Sequence, residues 1–337
     1  MNILVCGGAG YVGSHMVRTL LAAGHEVSVL DNLSTGFAWA IPDDAFFLKA
    51  DLLDFETVAD FLSRRTFDVV MHFSALSLVG ESVQRPQDYY MNNVVGTLNL
   101  LRAMRSARIE KFVFSSTAAT FGNPVSDLID EKHPQQPINP YGQSKLMVEK
   151  ILADYAAAYG LRSVSLRYFN AAGADVSAEI GEAHDPETHL IPNILRSCLG
   201  SGSATRLKLF GNDYPTPDGT CVRDYIHVND LADAHLRAVH YMNERSGAHA
   251  FNLGNGQGFS VLQVIHAAEK IVGVPIAYEV APRRSGDPAT LVADSELAQK
   301  ELGWSPKYKD ISAIIETAWR WHQHFHGSGS EHMNHVD

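Results

Sequence analysis

"NILVCGGAGYVGS", residues 2–14, passes from an apolar strand pattern through a cluster of glycines into a helical pattern. Gly8, Gly10 and Gly13 fit G-x-G-x-x-G, while Gly7, Gly10 and Gly13 fit G-x-x-G-x-x-G. Such glycines allow a tight turn and a close approach of a pyrophosphate to the helix start, where free N–H groups and the dipole favour anions. A packing turn can carry the same glycines, so context decides. Here the strand precedes the turn directly, the helix follows it, and Asp31 ends the next strand pattern eighteen residues beyond Gly13. A carboxylate at that place accepts from a ribose 2′-hydroxyl and repels a 2′-phosphate. No Lys or Arg occurs from Asn32 to Ile41 to offset the repulsion. The expected cofactor is NAD. Asp51, in "KADLLD", is placed either to meet the adenine edge or to cap a helix.

Outward from this turn, short apolar runs alternate with amphipathic segments. Strands are predicted over 2–7, 26–31, 67–73, 111–116 and 163–169, several of them nearly continuous apolar runs, as parallel strands covered on both faces require. Helices are predicted over 11–23, 92–107 and 140–158. Val94, Leu98, Leu101 and Met104 recur at helical spacing in the second, and Met147, Ile151 and Tyr155 form a stripe in the third, with Val148 and Leu152 beside it. The alternation predicts an α/β fold, a doubly wound parallel sheet, with a smaller mixed α/β C-terminal lobe for substrate. The expected division is 1–172 for the dinucleotide domain and 173–322 for the second lobe, with some elements interleaved. Residues 323–337 are expected to be a frayed, His-, Gly- and Ser-rich tail.

Composition bounds the partners. The chain has 337 residues, 45% hydrophobic and 19% charged, with a formal net charge of −11. That balance argues against broad nucleic-acid or anionic-membrane binding, since there is no basic surplus to neutralise phosphates. Cys6, Cys198 and Cys221 are too few and scattered for a disulfide framework, and Cys6 falls in a core strand pattern. The N-terminus does not read as a signal peptide and no run is long enough to span a bilayer, so a cytoplasmic protein is expected. No metal site is expected.

"NPYGQSK" (139–145) sets Tyr141 and Lys145 one helical turn apart. A free phenol is only ~0.1% ionised at pH 7, and the pair alone reads equally as a solvated helix face. "FVFSSTAATFG" (112–122) supplies hydroxyls at Ser115, Ser116 and Thr117 where a buried strand ends, which is where ligands of such sheets sit. With the glycine turn, Asp31, this strand-end hydroxyl and Y-x-x-x-K in order, the chain resembles the extended short-chain dehydrogenase/reductase family. That resemblance implies that Lys145 and an oxidised nicotinamide lower the Tyr141 pKa, making it a general base. It also implies that Thr117 bridges the base to the reacting sugar hydroxyl.

"HFSALSLVGESV" (72–83), "YYMNNVVGTLNLL" (89–101), "LRYFNAAGA" (166–174), "LFGNDYPTPDGTCVRDYIHVNDLADAH" (209–235) and "PRRSGDP" (282–288) narrow the match. From Met1 to about Trp321 the chain is similar to the UDP-glucose 4-epimerases. Those enzymes oxidise C4 of a UDP-hexose with bound NAD, let the 4-keto sugar rotate, and return the hydride to its other face. The resemblance implies Thr117, Tyr141 and Lys145 as the catalytic group. It places Gly7, Gly10, Tyr11, Val12, Gly13, Asp31, Asn32, Asp51, Leu52, Phe73, Ala75, Asn92, Ser115 and Tyr168 on the cofactor. Asn170, His189, Leu190, Leu207, Phe210, Arg223, Arg284, Asp287 and Leu291 fall on the UDP-hexose. Arg223 and Arg284 can clamp a pyrophosphate with planar forks, although Arg223 could instead pair with Asp224 and Phe210 could be core.

Ser77 stands where some members carry a lysine. Leu291 aligns with a bulky tyrosine of some members, leaving room for an N-acetylhexosamine. Dehydratases of the same superfamily need an acid–base pair after the strand-end threonine, and here Ala118 and Ala119 cannot move protons. A non-catalytic NAD-sensing protein would be expected to lose the Tyr, the Lys or the arginines, and all are present. Helices 92–107 and 140–158 resemble those that pair in the family's homodimer, so a homodimer is expected.

Overall fold

The computed structural model describes residues 1–199, 207–284 and 287–327. Its strands are β1 (Asn2–Cys6), β2 (Glu26–Asp31), β3 (Phe46–Lys49), β4 (Val69–His72), β5 (Lys111–Thr117), β6 (Arg162–Tyr168), β7 (Asn170–Ala172), β8 (Leu207–Phe210), β9 (Val222–His227), β10 (Ala248–Leu253), β11 (Gly258–Ser260), β12 (Tyr278–Ala281) and β13 (Thr290–Leu291). The helices are α1 (Tyr11–Ala22), α2 (Phe55–Ser63), α3 (Val79–Gln84), α4 (Pro86–Tyr90), α5 (Gly96–Ser106), α6 (Pro140–Tyr159), α7 (Leu190–Cys198), α8 (Val228–Glu244), α9 (Val261–Val272), α10 (Glu296–Leu302) and α11 (Ile311–Gly327).

Seven strands form one parallel sheet in the order β10-β6-β5-β4-β1-β2-β3. Successive side chains of β1 serve opposite faces, as the strand's period of two requires. Ile3 and Val5 pack with Met16, Val17 and Leu20 of α1 and with Leu231 and Val239 of α8. Leu4 and Cys6 face Val58 and Leu62 of α2, Leu100 and Met104 of α5, and Val148 and Leu152 of α6. All five predicted strands are present. Strand order reverses between β1 and β4, so the carboxyl ends of these strands open the ligand crevice.

Two strands of the sheet, β3 and β10, are not visible as strong sequence patterns. Phe46-Phe47-Leu48-Lys49 is an edge strand and β10 joins the far edge from the second half of the chain, where it pairs with β6. The second lobe has its own core, in which Ile191, Ile194 and Leu195 of α7 meet Val264 and Ile265 of α9 and Ile314 and Ile315 of α11. Among the described residues, no helix is long and apolar enough to cross a membrane.

The expected tail begins too early. Residues 323–327 continue α11, where the Phe325 ring packs at a tilt against both Trp321 and Trp39, with centroids 4.8 and 5.5 Å away. Residues 328–337 lie outside the described residues. The predicted helix 92–107 also differs: residues 91–95 form a wide π-turn before α5 proper.

Candidate active site

The glycine turn is held by backbone. A Cβ at Gly13 would lie 2.0 Å from the Gly7 carbonyl oxygen, so α1 can approach the turn this closely only with glycine there. Gly10 starts α1 without a side-chain cap, and a Cβ there would meet only the Gly7 oxygen, at 3.5 Å. The first N–H groups of α1 are therefore free toward open space, which fits a pyrophosphate. Asp31 is buried; its Oδ2 accepts from the Ala9 N–H at 3.0 Å and its Oδ1 from the Leu33 N–H at 2.8 Å. Burial pushes its pKa up and those N–H groups oppose the shift. One N–H per oxygen leaves lone pairs for ribose hydroxyls.

Beside this turn is a cleft with about 530 Å³ of open space, lined by Gly7, Gly10, Asp31, Asn32, Asp51, Leu52, Phe73, Ala75 and Asn92 among others. Nine residues read as cofactor contacts thus share one wall. Asn32 donates to Asp51 Oδ2 at 2.9 Å, and Asp51 Oδ1 accepts from the Leu53 N–H. The cap of α2 is Asp54, so the helix-cap alternative for Asp51 falls away. Tyr11 and Val12 sit elsewhere on α1: Tyr11 donates to the Gly173 carbonyl at 2.7 Å, and Val12 packs against the core.

At the end of β5, Thr117 opens a 3-10 turn whose residues Ala118–Thr120 abut the start of α6. The side chain of Asn139 caps α6 by accepting from the Gly142 N–H at 2.8 Å, with Pro140 as first residue. A Cβ at Gly142 would lie 2.4 Å from the Ala119 oxygen. That close approach brings the Tyr141 phenol beside the Thr117 hydroxyl. One turn on, Lys145 is buried and its ammonium donates to the Ser115 carbonyl at 2.7 Å. Tyr168 donates to Ser115 Oγ.

The expected lowering of the Tyr141 pKa is not what the protein itself produces. Burial raises it, and the neighbouring Thr117 hydroxyl only partly offsets that rise. Removing the phenolate from water costs more than one hydroxyl returns. Burial likewise lowers Lys145 to about 7, against the attraction of Glu149.

The residues read as substrate contacts form pairs. Arg223 donates to Asp287 Oδ1 at 2.8 Å, not to Asp224. Asp224 is fully buried and accepts from the N–H groups of Asn255, Gly256 and Ala293. Arg284 lies 4.1 Å over the Phe210 ring, a cation–π contact that takes Phe210 out of a pure core role. Leu291 pairs in register with Arg223 and packs near Ala118, Phe121 and Ile129. Asn170 donates to the Asp224 carbonyl at 2.9 Å, Leu207 is buried in β8, and His189 and Leu190 begin α7. Ser77 is exposed; Ser285 and Gly286 of the "PRRSGDP" stretch lie outside the described residues.

Two residues of the site were not singled out from sequence. Asn93, in the π-turn, donates to the Leu76 carbonyl and to Ser144 Oγ, and accepts from the Leu76 N–H, so it ties the loop after β4 to α6. Glu149 makes a buried bidentate pair with Arg167 and accepts from Ser116 Oγ. Glu149 lies one turn beyond Lys145, a spacing that could have flagged it.

An uncapped helix start, a buried carboxylate lining the same cleft and a Tyr–Lys pair beside a strand-end threonine define a dinucleotide-dependent enzyme of the short-chain dehydrogenase type. The chain belongs to the NAD dependent epimerase/dehydratase family, which it matches over residues 3–254. Within that family it is 51% identical to the UDP-glucose 4-epimerase of Halalkalibacterium halodurans over 335 residues, 99% of each chain. It is also 51% identical to that of Lacticaseibacillus casei over 323 residues, 96% of this chain and 97% of the relative. The crystal structure of UDP-glucose 4-epimerase from Brucella ovis in complex with NAD superposes with a TM-score of 0.91 at 47% identity, covering 94% of this chain and 97% of that one.

Proposed function

We propose that this protein interconverts UDP-glucose and UDP-galactose by reversible oxidation at sugar C4, with NAD resident in the cleft beside Gly10 and Asp31. The observation that carries this reading is the delivery of Tyr141 to Thr117 at the carboxyl end of β5, in a chain half identical to UDP-glucose 4-epimerases. Oxidised NAD supplies the acceptor for the C4 hydride and a positive charge that offsets burial of the phenol. Thr117 orients the 4-hydroxyl, and Tyr141 takes its proton at the phenol oxygen and later returns it. Lys145 holds the strand end through Ser115 and keeps a cation near the phenol. Arg223 and Arg284 hold the UDP pyrophosphate, and Asp287 steadies Arg223 while accepting from ribose hydroxyls. Two alanines after Thr117 leave no acid–base pair for elimination, which favours epimerase over dehydratase.

Purified protein should convert UDP-galactose to UDP-glucose without added cofactor. Tyr141→Phe should lower kcat by about 10²–10⁴-fold with NAD still bound. No turnover even with NAD supplied would refute the epimerase reading, and an active Tyr141→Phe would refute the base. The reading includes a homodimer through α5 and α6, where Leu98, Met147, Ile151 and Tyr155 are only partly buried in one chain. Light scattering at the mass of a single chain would exclude it.

A further inference from the structure

Between Ile180 and α7 the chain reads Glu182-Ala-His184-Asp-Pro-Glu187-Thr-His189, an E-x-H-x-x-E-x-H spacing. One donor atom from each of Glu182, His184, Glu187 and His189 lies within 4.8 Å of the others. Glu182 Oε1 is 3.0 Å from His184 Nδ1 and 2.6 Å from His189 Nδ1, and Glu187 Oε1 is 3.2 Å from His189 Nδ1. Both glutamate side chains are almost fully buried, at 5% and 2% exposure, while the histidines are half open. Glu182 Oε1 thus faces both ring nitrogens, while Glu187 Oε1 faces His189 Nδ1 and accepts the Thr188 and His189 N–H groups, so two buried carboxylates and two imidazoles converge on one small space. Glu187 Oε2 is the unfilled acceptor of the group: it is buried without a hydrogen-bond partner, and Arg196 Nη2 pairs with it only at 3.7 Å.

We propose that these four side chains form a binding site for one divalent transition-metal ion of the zinc class, held by two imidazole nitrogens and two carboxylate oxygens. Mixed nitrogen and oxygen donors suit such ions, not magnesium or calcium. Bonds of about 2.1 Å in tetrahedral geometry put donors about 3.4 Å apart. The observed separations, from 2.6 Å to no more than 4.8 Å, bracket that value. The ion replaces the proton that His189 Nδ1 shares between the glutamates, and its double charge balances both. All four ligands come from eight consecutive residues ending at the cap of α7. The metal therefore pins this loop and fixes the His189 ring, leaving Nε2 as the ring atom free to meet substrate. The site itself does not rest on the epimerase reading.

Full-length protein stripped with EDTA and titrated with ZnCl₂ should bind one equivalent in the micromolar range or tighter. Its melting temperature should rise by roughly 2–4 °C at saturation. With CoCl₂ the same site should show inner-sphere d–d absorption. Glu187→Gln and His184→Asn should each weaken Zn²⁺ binding at least 100-fold; two variants guard against one misfolding, and circular dichroism of each verifies its fold. A His332→Ala/His335→Ala variant, altered only in the terminal histidine run, should bind as the unaltered chain does. Failure to bind stoichiometric Zn²⁺, or unchanged binding in both ligand variants, would overturn the site. Because metal content is read without turnover, that failure is distinguishable from failure of the epimerase reading.

Discussion

Glu149→Gln removes the negative half of a buried pair. The Arg167 and Glu149 side chains are 6% and 9% exposed, joined by Nη2 to Oε2 at 2.6 Å and Nε to Oε1 at 3.0 Å. Arg167 Nη1 already lacks a hydrogen-bond partner, so the guanidinium has nothing in reserve. Breaking such a pair from one side costs about 3–5 kcal/mol, because a charge stays buried alone. Unfolding entropy near 2.1 cal/mol/K per residue gives about 0.7 kcal/mol/K for a chain of this length, so the melting temperature should fall by about 4–7 °C. Glu149→Leu with Arg167→Met, which removes both charges, should recover most of that loss. Glu149 is also the anion that raises the Lys145 pKa. The single variant should therefore lower the pKa of Lys145 further and move the alkaline limb of the kcat–pH profile to lower pH. Scanning calorimetry and pH profiles of the three proteins check this. A single variant that melts within 1 °C of the unaltered protein would refute the reasoning, as would a double variant no better than the single.

Gly13→Ala places a methyl 2.0 Å from the Gly7 oxygen, and backbone must move to accept it. At about 1–3 kcal/mol of overpacking, NAD retention measured after gel filtration should weaken roughly 5- to 150-fold; unaltered retention would contradict the close-approach role. Burial sets Lys145 at about 7, below the 10.5 of an exposed lysine, so the buried cation costs stability below pH 7 and the cost fades as pH rises to 10.5. Urea unfolding should show the unaltered protein gaining on Lys145→Met between pH 7 and 10, by no more than about 5 kcal/mol; parallel curves would contradict it. Leu291→Tyr should lower turnover of UDP-N-acetylglucosamine at least tenfold more than that of UDP-galactose. Equal losses on both would show that residue 291 does not face the sugar 2-substituent.

Residues 2–31 were legible because their information is local: a strand period, a turn that needs glycine, and a carboxylate at a strand end. The Tyr141–Lys145 pair was legible for the same reason, and its delivery to Thr117 follows from Asn139, Pro140 and Gly142 within the same stretch. Arg223 could be read as a candidate pyrophosphate clamp but not matched to its partner, because Asp287 is 64 residues away and meets it only beside the β9–β13 pairing. The direction of the Tyr141 pKa depends on burial, a property of tertiary packing that spacing along one helix does not carry. β10 is not legible locally because its partners in β6 lie 85 residues earlier, as in the Ala248–Ser163 pair. The E-x-H-x-x-E-x-H spacing stood in plain view, but among Gly, Asp and Pro it reads as loop until folding converges its side chains.

The Trp39–Trp321 stack, with ring centroids 5.8 Å apart, joins the segment after β2 to the last helix; Phe37 extends it beyond Trp39, and Phe325 packs against both indoles. Residues 34–36, which line the dinucleotide cleft, lead directly into Phe37. Tryptophan emission follows the surroundings of the ring, so NAD entering that cleft should alter the native fluorescence of this stack, and identical spectra with and without NAD would refute the link.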